Sequence, residues 1–259
     1  MRHFLYRLDK FLVMKGYFPS REKAQTAIKD GNVFVDGKVR DCAFALTGKE
    51  QIEVKNVSKY VSRGAYKLLG AKSEFNLDFN GRVVLDIGAS TGGFTQVALE
   101  SGAKKVYAVD VGTNQLSDKL KNDDRVVDLS QTDFRIAPKF EDVDFIVSDL
   151  SFISLRYVIP KIVEQYKGVE MVLLFKPQFE CGVAIAKRGG GVVRDSKLHT
   201  HLLEDFIDYL TFFNIKVSDI THSPITGKTG NIEYLLHLNG KTNKKVNAKK
   251  VVQTAFSKL

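Results

Sequence analysis

Residues 82–94, RVVLDIGASTGGF, constrain the fold of this chain more than any other stretch. Residues 82–85 read as a buried strand, with Val83, Val84 and Leu85 in succession. Asp86 closes that strand. Gly88, Gly92 and Gly93 then form a tight turn that leads into the apolar stripe Phe94, Val97 and Ala98 of a helix. In a doubly wound sheet, a strand, a glycine turn and a helix N-terminus make the place where a nucleoside ligand is held. Glycine suits such a turn because the backbone must pass close to the ligand and visit dihedrals that a Cβ obstructs.

The spacing selects among such ligands. Gly88-x-Ser90-x-Gly92-Gly93 departs from the G-x-G-x-x-G dinucleotide fingerprint and lacks the G-K-[ST] ending of a phosphate-binding loop. A carboxylate directly before the turn repels a phosphate and suits an ammonium group, which S-adenosylmethionine carries. The next apolar run, residues 106–109, ends in Asp110, 24 residues after Asp86. That carboxylate, at the tip of the neighbouring strand, can accept both hydroxyls of a ribose. S-adenosylmethionine is therefore the expected cofactor, with a purely structural turn as the competing reading.

A chain of 259 residues with 44% apolar content has room for one large domain and a small one. No apolar run approaches the roughly 18–20 residues that cross a bilayer. The N-terminus mixes Arg7, Asp9 and Lys10 with apolar residues, unlike a signal peptide. A cytoplasmic location without a membrane partner is expected. Cys42 and Cys181 stand far apart and read as free thiols, and the five histidines show no ligand spacing, so no metal is expected. The net charge of +9 is unevenly spread: +6 over residues 1–63, −3 over 64–240 and +6 over 241–259. Basic ends on a near-neutral body point to appended surfaces for a polyanion.

Residues 5–15 place Leu5, Leu8, Leu12 and Val13 on one helical face, and Gly16 ends that helix. Ser20 is the expected N-cap of a second helix, with Ala24, Ala27 and Ile28 inward and Gly31 as its stop. Alternation around Asp36-Gly37 predicts a hairpin, and residues 52–54 a further short strand. The order RLDKFL, then SREKAQTAIKDGNVFVDGKV, resembles the alpha-L RNA-binding module first described in ribosomal protein S-four. In it Arg7, Lys10, Arg21, Lys23 and Lys38 could face RNA phosphates, supplying affinity and register without reading sequence. The expected organisation is an alpha-L type RNA-binding domain over 1–58, a connector over 59–63 within the polar stretch 56–63, a second domain over 64–240 and a basic C-terminal helix or tail over 241–259.

Strands are expected at 105–110, 125–128, 143–149, 170–176, 215–222 and 232–238. Helices near 93–101, 114–121, 154–167 and 196–211 separate most of them, an α/β pattern that argues for a parallel sheet covered on both faces. Only SPITGKTGN lies between the last two strands, too short for a crossover, so these pair antiparallel. Ligands in such folds sit at the carboxyl ends of the strands. There the chain offers Asp149 in VSDLSF, Lys176 in LLFKPQFE and Glu233 near the start of NIEYLLHL. Lys67 stands on a helix among Tyr66, Leu68 and Leu69, and a lone lysine so placed is usually solvated.

SRGAYKL, DIGASTGGFT, VSDLSF, LFKPQFE and NIEYLL, behind an alpha-L module, look like the TlyA (hemolysin A) family of ribosomal RNA methyltransferases, whose catalytic domain is of the FtsJ/RrmJ type. The resemblance spans roughly residues 5–238. It implies a Rossmann-like methyltransferase sheet, parallel with one antiparallel strand, beside the small α+β RNA-binding domain. It also implies methylation of a ribose 2′-hydroxyl of ribosomal RNA, of cytidine, with ribosomal subunits as partners and Lys67, Asp149, Lys176 and Glu233 as a catalytic tetrad. The cofactor contacts so implied are Asp86, Gly88, Ala89, Ser90, Gly92, Gly93 and Phe94, then Asp110, Val111, Asp133 in QTDFR, and Asp149.

The chemistry fits those residue types. A 2′-hydroxyl is a poor nucleophile and benefits from a base or from positive charge beside the developing alkoxide, the role assigned to Lys176. Asp149 would hold Lys176, and Glu233 would orient a lysine or the ribose. DLSF stands where methyltransferases of exocyclic amines carry an N-P-P-[YF] tetrapeptide, and no cysteine pair suits attack on pyrimidine C5. The glycine-rich basic stretch 187–194, KRGGGVVR, reads as a lid over RNA or a plain loop. Three other readings of the whole stay open: a methyltransferase that uses the same cofactor on another RNA or another atom, an RNA-binding or assembly factor with a retired methyltransferase site, and the membrane lysis that the hemolysin name suggests.

Overall fold

The structure, a computed structural model, describes residues 5–18, 20–55, 59–242 and 244–259. Residues 56–58 of the expected polar connector and residue 243 of the basic tail lie outside the described residues. The chain divides into two units between Lys59 and Tyr60.

In the first unit, β1 (Tyr6–Arg7) runs straight into α1 (Leu8–Met14), and α2 (Arg21–Lys29) follows with Ser20 Oγ accepting Lys23 N–H at 3.3 Å. Strands β2 (Val33–Val35) and β3 (Lys38–Val39) fold back through Asp36 and Gly37, both in left-handed backbone at φ 49° and 73°. That is the dihedral pair of the two-residue turn which Asp-Gly signals. β4 (Ala45–Leu46) pairs with β1, and β5 (Ile52–Val54) with β2. The helix begins at Leu8 and not at Leu5, because Tyr6 and Arg7 pair with Leu46 and Ala45. Leu5 is consequently exposed, while Leu8, Leu12, Ala24, Ile28, Val33, Val35 and Leu46 form the small core.

The second unit opens with α3 (Gly64–Phe75), β6 (Val83–Ile87), α4 (Gly93–Glu100), β7 (Lys105–Asp110), α5 (Asp118–Lys121), β8 (Val126–Ser130) and β9 (Phe145–Ser148). A 3₁₀ turn (Leu155–Tyr157), α6 (Ile159–Gln165), β10 (Glu170–Phe175), α7 (Pro177–Glu180) and α8 (Val183–Arg188) come next. α9 (Ser196–Phe212), β11 (Val217–His222), β12 (Tyr234–Leu238) and α10 (Ala248–Lys258) complete it. Seven strands lie in the order β11-β12-β10-β9-β6-β7-β8, with β12 antiparallel to both neighbours and every other pairing parallel. The antiparallel strand is thus second from the edge.

Alternate strand residues face opposite sides, the two-residue period of extended chain. Leu85, Ile87, Ile146, Leu173 and Leu236 pack with α6, α9 and α10, while Val84, Val106, Val147, Val172 and Leu235 pack with α3 and α4. α10 buries Ala248, Val252 and Ala255 in the first of these layers, so the basic end of the chain is part of the body. The span expected as one helix over 154–167 is divided between the 3₁₀ turn and α6, and the helix expected over 114–121 shortens to α5. The stretch 187–194, expected as a lid or a plain loop, is anchored. Lys187 and Arg188 end α8, Val193 N–H donates to Asn231 Oδ1 at 3.0 Å, and His199 Nε2 meets the Val193 carbonyl at 3.0 Å. Among the described residues no helix is long and apolar enough to cross a membrane.

Candidate active site

The turn after β6 is built as its glycines demand. Gly88 and Gly92 have φ of 86° and 92°, and a Cβ on Gly88 would press within 3.1 Å of Leu150 and 3.2 Å of the Asp149 carbonyl. A Cβ on Gly92 would strike the Leu120 and Leu116 side chains. Ser90 also takes left-handed backbone, φ 49°, and its N–H donates to Asp110 Oδ2 at 2.8 Å. Gly112 N–H donates to Asp110 Oδ1 at 2.7 Å, so two amides fix the plane of that carboxylate at the tip of β7. Val111 beside it is 71% exposed, an apolar surface a ligand could cover.

Asp86 is fully buried in β6. Thr95, from the first turn of α4, donates to its Oδ2 at 2.6 Å, whereas Oδ1 is buried with no hydrogen-bond partner among the described residues. Burial pushes this carboxyl up to about 7, against the Thr95 hydrogen bond and with help from the negative charge of Asp149. An orphaned buried carboxylate oxygen costs energy that a cationic ligand recovers. Ala89 and Gly93 lie in the same buried turn. The Phe94 ring is buried in the core, so Phe94 has only its backbone to offer a ligand. Asp133 is engaged by Arg135, whose Nη2 is 2.6 Å from Oδ2, and that hydrogen bond holds the Asp133 carboxyl below its ordinary value.

Four charged side chains from distant parts of the chain meet at the carboxyl ends of the central strands. Lys67 Nζ, on the inner face of α3, is 2.7 Å from Glu233 Oε2 and 3.6 Å from Asp149 Oδ2. Lys176 Nζ, following β10, is 2.6 Å from Asp149 Oδ1. Both lysines and Glu233 are buried, and Asp149 keeps 20% of its side chain exposed. Glu233 belongs here because β12 runs antiparallel, so the residue before it lies where its parallel neighbours end. Gln178 Nε2 donates to Glu233 Oε1 at 3.3 Å. The result is an alternating chain, Glu233–Lys67–Asp149–Lys176, in which each cation touches a carboxylate. Buried charges persist in this form because each pairs with an opposite one.

Sequence reasoning passed over several residues of this site. Lys176 Nζ donates to Ser151 Oγ at 2.8 Å. Phe152, next to it, is 91% exposed with φ 67°, a backbone that bulky residues rarely adopt, and its ring lies 5.4 Å from that of Phe179. Ser151 and Phe152 belong to the VSDLSF motif in which only Asp149 drew attention. Thr95 carried only its place in a helix's first turn as a signal.

In the first unit, Asp9 is a buried carboxylate on which two of the basic residues converge. Arg7 reaches both its oxygens at 3.2 Å, Arg21 Nε donates at 2.8 Å and Gln25 Nε2 at 2.7 Å. Burial alone would raise the Asp9 carboxyl, but the hydrogen bonds from Arg7, Gln25 and Arg21 bring it well below the carboxylate range. Lys10 and Lys38 are exposed and Lys23 is half-buried.

The FtsJ-like methyltransferase family model matches residues 60–240, and the S4 domain model matches residues 7–52. Hemolysin A of Brachyspira hyodysenteriae is 45% identical over 241 residues, covering 89% of this chain and 98% of that one. This chain belongs to the TlyA (hemolysin A) family, with an S4 domain ahead of an FtsJ-like methyltransferase domain. Another TlyA relative, the 16S/23S rRNA (cytidine-2′-O)-methyltransferase of Mycobacterium tuberculosis strain H37Rv, is 40% identical over 250 residues, covering 94% of this chain and 93% of that protein. A solved structure from Streptococcus thermophilus, described as a hemolysin, superposes with a TM-score of 0.76 at 38% identity, covering 99% of this chain and 97% of the other. The TlyA family thus accounts for both units of the chain.

Proposed function

We propose that this chain is a cytoplasmic methyltransferase that moves a methyl group from S-adenosylmethionine to the 2′-hydroxyl of cytidine in ribosomal RNA. The observation that carries the reading is the buried Lys67–Asp149–Lys176–Glu233 cluster at the strand ends, beside the glycine turn and the orphaned Asp86 oxygen. The cytidine and the ribosomal RNA come from relatives bearing the (cytidine-2′-O)-methyltransferase name.

The residues of the turn suit the cofactor. Asp86 Oδ1 would take the amino group, Asp110 the ribose hydroxyls, and Val111 and the segment with Asp133 the adenine. When bound, S-adenosylmethionine supplies an electrophilic methyl carbon, and its sulfur keeps the bonding pair as the ribose oxygen takes the methyl. The protein's part is positioning and charge. Lys176 holds its ammonium beside the oxygen as negative charge develops there, and the hydroxyl proton passes to solvent. Asp149 keeps Lys176 in place, while Lys67, paired with Glu233, holds Asp149 from the other side. The S4 unit, with Arg7, Lys10, Arg21, Lys23 and Lys38, binds RNA phosphates.

The test incubates the protein with methyl-labelled S-adenosylmethionine and separated, unmodified ribosomal subunits, then digests the RNA to nucleosides. Labelled 2′-O-methylcytidine is expected; label on a base overturns the assignment. Lys176→Ala should lower the rate about a hundredfold or more while RNA binding persists. A wild-type chain that binds RNA and S-adenosylmethionine but transfers no label to either subunit would instead be a retired enzyme kept for binding.

A further inference from the structure

We infer that Ser151 is a positioning residue for this transfer, aiming the Lys176 ammonium at the ribose hydroxyl; the inference rests on the 2′-O-methyltransferase reading above. Lys176 has two close polar neighbours, and they do different things. Asp149 Oδ1 is nearer, at 2.6 Å, yet among the described residues no group, the ammonium included, meets that oxygen in hydrogen-bond geometry. It supplies charge. Ser151 Oγ, at 2.8 Å, accepts a directed hydrogen bond from Nζ. An attraction between charges depends on distance, whereas a hydrogen bond fixes an angle. With one N–H turned to Ser151 and the ammonium held against Asp149, rotation about the last carbon–nitrogen bond stops and the remaining N–H directions are set.

That aim needs a serine that does not move, and the loop carrying it is tied down on the side of α7. Glu180, at the end of α7, accepts the Ser154 hydroxyl at 2.5 Å through Oε2 and the Leu155 amide at 2.8 Å through Oε1. Phe152 also lies against Phe179 of the same helix, the two rings tilted by 48° with centroids 5.4 Å apart. The loop after β9 is therefore fastened to the helix after β10, so Ser151 and Lys176 move as one body. The other charges of the cluster, Lys67 and Glu233, reach Lys176 only through Asp149 or lie beyond it. Neither replaces the directed bond.

The experiment compares wild type, Ser151→Ala, Ser151→Thr and Glu180→Ala in the full chain, with the same labelled cofactor and unmodified subunits. It measures single-turnover rate, affinity for S-adenosylmethionine and for RNA, and melting temperature. The wild-type product is first identified as a 2′-O-methylnucleoside; any other product overturns the underlying reading and the inference with it. Given that product, Ser151→Ala should lower the single-turnover rate about tenfold with both affinities and the melting temperature kept. Ser151→Thr, which retains the hydroxyl, should restore most of the rate, and Glu180→Ala should lower it through the loosened loop. A Ser151→Ala protein with the wild-type rate overturns the inference alone. So does one whose loss lies entirely in RNA affinity, or one that Thr fails to rescue although it folds.

Discussion

Lys67 and Glu233 stand 166 positions apart in the chain and 2.7 Å apart in the fold, as a buried ion pair. Removing Glu233 strands the buried Lys67 with only its longer, 3.6 Å contact to Asp149. Glu233→Ala should cost about 3 kcal/mol of stability and abolish methyl transfer. Replacing both residues, Lys67→Met with Glu233→Gln, should recover most of the stability and none of the activity. Urea unfolding midpoints check this. Equal losses in the single and double variants would show that the stranded charge is not what destabilises.

Asp86 should make cofactor binding depend on pH. Its carboxyl, pushed up to about 7 by burial, is largely protonated below that value and ionised above it. An ammonium group binds the ionised form, so affinity for S-adenosylmethionine should rise with pH up to about 7 and then level. Below that plateau, binding should release a proton. Titration calorimetry in buffers of different ionisation enthalpy reads the proton directly, and Asp86→Asn should abolish both the slope and the release.

Phe152 combines exposure with left-handed backbone, a combination that folding alone does not favour. An aromatic ring beside the tetrad can stack on a nucleobase. Phe152→Ala should lower kcat/KM about tenfold or more without lowering the melting temperature. Phe152→Gly should melt slightly higher than the wild type, since glycine relieves the strain. A fall in melting temperature with unchanged kinetics would make Phe152 a packing residue.

Asp9 should govern the S4 unit. Its folded carboxyl sits below the unfolded value, so the stability it contributes is present above the ordinary carboxylate range and drains away as the pH falls through the folded value. Asp9→Ala should destabilise this unit by about 3 kcal/mol and weaken RNA binding, because Arg7 and Arg21 lose the group that orients them. Affinity for S-adenosylmethionine should stay as it was. Hydrogen exchange, read separately for the two units, checks the first part, and RNA binding at two salt concentrations the second.

Most of the sheet could be read from the residues, because strands such as 83–87, 105–110 and 170–175 carry the apolar runs 83–85, 106–109 and 171–175, each leading into a charge or a turn. Asp149 and Lys176 stood out for the same reason. Other parts left weaker traces. β1 and β4 are two residues each, too short to show a period, and their pairing moved the start of the first helix. α8 buries none of its side chains and so has no apolar stripe to announce it. Lys67 carries no local mark that separates it from a solvated lysine; only the similarity of neighbouring motifs to a family drew it in. The left-handed Phe152 was beyond reach, because a bulky residue does not favour that conformation and nothing in its neighbours along the chain signals it.

The antiparallel setting of β12 also bears on when the enzyme comes into being. β11 joins the sheet only through β12, and Glu233 enters the cluster only as β12 pairs with β10. During synthesis, a nascent chain that has exposed its S4 unit and its glycine turn still has a gap beside β10. The four charged side chains of the cluster therefore meet only once β12, which follows the other strands of this sheet in the sequence, has paired.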